Sequence, residues 1–209
     1  TCALPIYPLA GADTPQRLLH AMTVLGHYVR LVIAPMSLSS NYGLAIIDAQ
    51  RGPELLTWLG LLAAVAALAA LSGYRRTAPL WRHVAMLSAI TMASYALISN
   101  IGLVIGVSLA ERLFYWPSVP VLMALTLLVV HGWRAAEASG RLSTEMPRVV
   151  RVLGILLLLG LGLRTFVRNW EWSSNLTLFE SDVTTYPKSA DLNEAYAAEL
   201  HRLVLENPE

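Results

Sequence analysis

Residues 54–73, ELLTWLGLLAAVAALAALSG, form a run of twenty with no charge after Glu54. A helix rises 1.5 Å per residue, so about 20 apolar residues reach across the roughly 30 Å hydrocarbon core of a bilayer. The run holds seven Leu and one Val, and at about −0.3 to −0.6 kcal/mol each these favour insertion by roughly 2 to 5 kcal/mol. Inside lipid the backbone must satisfy its own hydrogen bonds, which restricts such a segment to a helix. Composition extends the conclusion to the rest of the chain. Of its residues 56% are hydrophobic and 14% charged, against about 25% charged in a soluble domain, so lipid must cover much of the surface.

Three further runs approach the length of a span. Residues 84–110 carry no charge; a span over 81–98 and then an interfacial or re-entrant piece around Ser99, Asn100 and Gly102 accounts for them. Residues 116–133 are bounded by Trp116 and Trp133, a residue type that favours the headgroup layer. Residues 149–167 set Arg151 and Arg164 around VLGILLLLGLGL, and both arginines can snorkel outward to lengthen the apolar core. A fifth span is expected over 17–35, where Arg17, His20, Thr23, His27 and Arg30 recur at intervals of three and four. That spacing gathers them on one stripe while Leu18, Leu19, Met22, Leu25, Val29, Val32 and Ile33 fill much of the rest. Such a helix can face lipid on one side and a polar cavity on the other; a helix lying on the membrane surface is the other reading. The fold class is therefore all-α: a polytopic helical membrane domain of about five spans, then a small helical tail.

Orientation follows from the arginines. Arg75, Arg76 and Arg82 lie between the second and third spans, and Arg134, Arg141, Arg148 and Arg151 at or between the fourth and fifth. The positive-inside rule makes both connections cytoplasmic, so residues 37–53, the 111–116 connection and the tail after Arg168 are expected on the extracytoplasmic face. In that connection Glu111 and Arg112 are a charged pair between two strongly apolar stretches. One reading is an interfacial anchor, with Tyr115 and Trp116 in the aromatic belt. The other makes Arg112 a ligand for a lipid phosphate, because a guanidinium offers planar bidentate donors and keeps its charge; Arg30 is then its expected partner. Cys2 is the lone cysteine and nothing has zinc-ligand spacing, so no metal site is expected.

Three stretches, YVRLVIAPMSLSSNY (residues 28–42), SNIGLVIGVSLAERLFYWPSV (99–119) and RTFVRNWEWSSNLTLFESDVTTYPKSADLNEAYAAEL (164–200), resemble in order and spacing three signature stretches of the transmembrane and tetratricopeptide-repeat (TMTC) proteins. That family resembles the GT-C glycosyltransferases, polytopic enzymes that transfer a sugar from a polyprenyl-phosphate donor, and is associated with protein O-mannosylation. The resemblance implies that the chain is part of a transferase moving a hexose, mannose in the first instance, from polyprenyl phosphate to a protein Ser or Thr. Matched positions are Arg30, Glu111, Arg112, Tyr115, Pro117 and Ser118, with Arg164, Asn169 and Trp172 at the membrane exit. Of these, Arg112, Arg30, Glu111 and Tyr115 are the implied lipid-phosphate ligands. In GT-C enzymes the catalytic carboxylate follows the first span, so the resemblance implies that it precedes Thr1. Asp48 and Glu54 are read as loop and helix-start residues.

The implied domains are a transmembrane part over 1–169 and, over 170–209, the extracytoplasmic start of a tetratricopeptide-repeat solenoid. Leu176, Phe179 and Val183 stand at helical spacing, and Tyr186-Pro187-Lys188-Ser189-Ala190 opens a second helix toward Leu205. Ala190, Ala195, Ala197, Ala198 and Leu200 resemble the small and apolar positions of a repeat's first helix, with Asn207-Pro208 near its end. One unit cannot bury its own apolar face, so more repeats are expected beyond Glu209. The start, without Met or a signal-peptide pattern, is expected to lie inside a longer protein. Expected partners are the bilayer, the polyprenyl-phosphate sugar and a protein acceptor held by the repeats, with no nucleic acid; no other cofactor is identified. The rival reading is a non-catalytic, membrane-anchored repeat scaffold, and a transporter using the stripe of the first span ranks behind it.

Overall fold

The computed structural model describes residues 9, 12–42, 52–102, 105, 107, 109–140 and 146–206; Asp48 and Asn207-Pro208 lie outside them. Among the described residues there are seven α-helices: α1 (Thr14–Ile33), α2 (Leu55–Leu71), α3 (Pro79–Ile98), α4 (Tyr115–Ala138), α5 (Met146–Glu171), α6 (Asn175–Thr185) and α7 (Ala190–Glu206). Short 3-10 turns follow α2 (Ser72–Arg75) and precede α4 (Glu111–Phe114). The chain starts these helices where capping chemistry allows. Asp13 and Gln16 form a capping box with Pro15 in the first turn of α1, and Ser174 and Thr177 form another at α6, satisfying N–H groups that have no helical partner. Glu54 is the N-cap of α2, where its backbone N–H donates to the Thr57 hydroxyl, in keeping with the helix-start reading.

Among the described residues, three segments are long and apolar enough to cross a membrane: Leu55–Arg75, Glu111–Ala138 and Arg148–Glu171. The protein is thus an integral, all-helical membrane protein. The expectation of five spans meets this test in three helices only. α1 and α3, at 20 residues each, are long enough, but their polar side chains lower the apolarity. In α3 these are Arg82, His83, Ser88, Thr91 and Ser94, with Thr91 and Ser94 returning their hydroxyls to carbonyls one turn back.

Both helices instead pack against protein. A Cβ at Gly26 would lie 1.8 Å from the Leu56 carbonyl oxygen, and one at Gly60 would lie 1.8 Å from that of Met22. Backbone therefore meets backbone where α1 crosses α2, the close approach that small residues permit between membrane helices. The hydroxyls of Thr23 and Thr57 hydrogen-bond at 2.8 Å in the same seam. Since residue 22 meets 60 while 26 meets 56, the helices run antiparallel. This pairing with a span favours a transmembrane α1 over a surface helix. It also corrects the use of the polar stripe: His20 and His27 are buried, at 2% and 5% exposure, so the stripe turns into the protein and does not line an open cavity.

The core lies at the end of the bundle where α1 and α3 finish and α4 starts. Val24, Tyr28, Leu31, Tyr42, Tyr95, Leu109 and Phe114 form it. Tyr28 stacks on Phe114 at 4.4 Å between ring centroids, and its hydroxyl donates to the Ala110 carbonyl. The Tyr95 hydroxyl donates to the Ala21 carbonyl. The connection between α3 and α4 turns at Asn100, whose φ of 57° is left-handed, a conformation Asn tolerates better than most residues. Its side chain accepts from the Ile105 N–H and donates to the Val107 carbonyl. Leu109 and Ala110 are fully buried. The end of this connection that leads into α4 is thus covered by protein, whereas Ile101, Gly102 and Ile105 are exposed.

α5 contrasts with the rest. From Arg148 to Val167 none of its residues is buried, and Leu157, Leu158 and Leu163 are each more than 60% exposed. Beyond it, α6 and α7 pack on each other, so the two tail helices fall where the sequence places them.

Candidate functional site

The three resembling stretches, far apart in sequence, meet at one guanidinium. Arg168, near the end of α5, is 5% exposed. Its Nε donates to both oxygens of Glu111 at 2.9 and 3.2 Å, and its Nη2 donates to Glu111 Oε1 at 2.7 Å. Nη1 donates to Glu171, and Nη2 also reaches Asp182 of α6 at 3.3 Å. The second oxygen of Asp182 accepts from the N–H and the hydroxyl of Ser40, in the segment after α1. A buried charge is tolerated only when paired and hydrogen-bonded, and here every nitrogen of Arg168 has a carboxylate. The Trp172 indole N–H adds a 2.9 Å bond to Glu111 Oε1.

Neighbouring contacts tie the same segments together. Arg164 donates to the Pro35 carbonyl at 3.2 Å and lies 3.8 Å from Glu171, so its guanidinium serves the segment after α1 instead of only snorkelling outward. The Tyr186 hydroxyl donates to the Ser37 carbonyl, and its ring meets that of Tyr42 edge-on at 5.5 Å. Tyr42 donates to the Ser37 carbonyl and accepts from the Ser39 N–H, while its own N–H donates to the Leu109 carbonyl. Burial pushes the Tyr42 phenol above its ordinary range, which keeps it a neutral donor.

These contacts wall an open cleft of about 750 Å³. Pro35 and Leu38 line it from the segment after α1, and Glu111, Arg112 and Tyr115 from the turn that starts α4. α5 contributes Leu161, Arg164, Thr165, Arg168 and Asn169, with Trp172 just beyond. Three of the four expected ligands are thus brought together. Glu111 is held by Arg168 and Trp172, whereas Arg112 and Tyr115 are exposed. The Arg112 carbonyl accepts from the Tyr115 N–H, but its guanidinium has no hydrogen bond or ion pair with the described residues. The fourth, Arg30, is in the last turn of α1 and does not line the cleft; the chain reaches the cleft only past the helix end, at Pro35. Arg164, Asn169 and Trp172, marked in the sequence as the membrane exit, do line it.

Sequence reading missed Arg168, Asp182 and Ser40. Arg168 sits four residues after Arg164, on the same helical face, and that spacing was the available signal. Nothing local singles out Asp182 or Ser40. Among the described residues there is no group of three or more His, Cys, Asp or Glu side chains placed to hold a metal ion.

The arrangement supplies an exposed cation at the mouth of a partly apolar cleft, flanked by two lipid-suited helices. An anionic headgroup on an apolar chain fits that combination.

No protein-family model matches the chain, and no solved structure matches it. Among curated proteins it is similar to the protein O-mannosyl-transferase Tmtc3 of Drosophila melanogaster, 28% identical over 90% of this chain and 21% of that protein. It is also similar to Tmtc1 of the same organism, 28% identical over 79% of this chain and 20% of that protein, and to human TMTC3, 32% identical over 45% of this chain and 9% of that protein. The chain therefore spans about a fifth of the length of the first relatives it matches. Relatives of one family name thus match it over as much as 90% of its length, and the chain is similar to the TMTC proteins.

Proposed function

We propose that the chain is part of a GT-C-type protein O-mannosyltransferase and that its cleft receives the phosphate of a polyprenyl-phosphate sugar. The names of its relatives support the transferase class. The observation that carries the reading is Arg112, exposed and unpaired among the described residues, in a cleft between the start of α4 and the end of α5. α4 and α5 give a polyprenyl chain apolar surface in the bilayer, while Arg112 meets the phosphate at its edge. Arg30 belongs to the phosphate site only if it moves, since it stands outside the cleft.

In the reaction the acceptor hydroxyl oxygen attacks the anomeric carbon, and the bond from that carbon to the phosphate oxygen breaks with inversion. The electron pair leaves with the phosphate, where Arg112 stabilises the growing negative charge. The hydroxyl proton goes to a base. Glu111, Glu171 and Asp182 are all engaged by Arg168, so the proposed base is a carboxylate outside this cluster. The cleft and tail lie on the extracytoplasmic side by the arginine placement, and α6 with α7 begins a tetratricopeptide-repeat domain that holds the protein acceptor.

The test is mannose transfer from a polyprenyl-phosphate donor to a protein acceptor by the full-length protein carrying Arg112→Ala. Loss of one charge-stabilising contact is expected to cost about 10²-fold in rate; undiminished transfer would remove Arg112 from the mechanism. The scaffold reading has an observation of its own in the full engagement of the cleft's carboxylates, and an inactive wild-type protein that still binds acceptor proteins would favour it.

A further inference from the structure

We infer that Arg168 is a positioning residue for this cleft, acting through Glu111 on Arg112 and Tyr115; the inference rests on the phosphate-binding reading of the cleft. Arg168 lines the cleft, yet its nitrogens are spent on Glu111, Glu171 and Asp182. It therefore holds neighbours in place and leaves the headgroup to Arg112.

What it holds is the 3-10 turn Glu111–Phe114. At one end of the turn, the Glu111 carboxylate is fixed by Arg168 and by the Trp172 indole. At the other, Phe114 is buried and stacked on Tyr28. Clamped at both ends, the turn presents Arg112 within it and Tyr115 just after it to the cleft. Through Asp182 the same guanidinium joins the turn to α6 and to Ser40. A lysine keeps the charge but lacks the planar fork that grips two carboxylate oxygens at once. Arg168→Lys therefore separates positioning from charge.

The experiment measures the Kd of a short-chain polyprenyl monophosphate for the full-length protein in detergent, with Arg112→Ala, Arg168→Lys, Glu111→Gln, Trp172→Phe and the Arg168→Lys/Glu111→Gln double variant. Arg112→Ala is expected to weaken binding about 100-fold, each of Arg168→Lys and Glu111→Gln about tenfold, and Trp172→Phe about threefold. The double variant is expected to stay near tenfold, because both changes break one link. Near-wild-type binding by Arg168→Lys and Glu111→Gln, with Arg112→Ala weakened, would overturn the positioning role and leave the phosphate reading standing. A double variant weakened about 100-fold would overturn the route through Glu111. Wild-type binding by Arg112→Ala would overturn the phosphate reading and this inference with it. Trp172→Phe removes one N–H donor and retains an aromatic ring, so it decides the matter where Arg168→Lys does not fold: wild-type binding by it counts against the clamp.

Discussion

Asp182, on the first helix after the membrane part, accepts hydrogen bonds from both the backbone N–H and the hydroxyl of Ser40, 142 residues earlier. Its other oxygen meets Arg168, and its side chain is fully buried. The tail is thereby fastened to the membrane part by a buried charge. Asp182→Ala leaves Arg168 short of a carboxylate and Ser40 without its acceptor, a class of change that costs about 3 to 5 kcal/mol. The expected result is faster proteolysis between Trp172 and Lys188 and a lower detergent melting temperature; unchanged proteolysis would show that the tail is held by other means.

The α1–α2 crossing depends on two glycines for a steric reason. Gly26→Val places carbon where the Leu56 carbonyl already is, and the helices must separate at a cost of about 1 to 3 kcal/mol or more. Gly154 on α5 has nothing within 4 Å of a built Cβ, so Gly154→Ala is expected to be neutral or to stabilise by up to about 1 kcal/mol, by helix propensity. Thermal melting of the two variants side by side checks the contrast.

Leu157 sits in a helix whose apolar middle touches no described neighbour closely enough to be buried. Leu157→Arg is expected to make insertion of α5 about 3 kcal/mol less favourable, seen in a translocation assay as a larger uninserted fraction. Leu157→Ile, which keeps the apolarity, is expected to insert like the natural sequence.

Glu199 in α7 is held below the usual carboxylate range, first by its hydrogen bonds from Arg202 and then by the Arg202 charge. With a depressed folded value, the contribution is present above the ordinary carboxylate pKa of about 4.3 and is lost as pH falls through the folded value. Circular dichroism from about pH 6 down to about pH 3 is expected to show less acid loss of helix in Glu199→Gln than in the natural chain; identical curves would remove this pair from the acid response.

The membrane helices were legible because lipid demands long apolar runs. The 54–73 run became α2 with its 3-10 turn, and Trp116 and Trp133 both lie in α4. The polar stripe of α1 was legible as a pattern but not in its use: the same period fits a cavity, a membrane surface or burial, and only packing against Gly60 and Thr57 decides. The cleft was half legible. Glu111, Arg112 and Tyr115 stood out as polar groups between apolar stretches. Arg168 looked like the end of a span, and Asp182 and Ser40 like ordinary polar residues, because their partners are 57, 14 and 142 residues away. Long-range pairing of this kind leaves no local period to read.

Photo-crosslinking tests the donor site most directly. A photoactivatable polyprenyl phosphate is bound to the full-length protein in membranes and irradiated, and the labelled residues are mapped by mass spectrometry. Labels are expected within 111–115 and 161–172, reduced by excess polyprenyl phosphate and by Arg112→Ala. Competable labelling confined to other segments would contradict the assignment of this cleft.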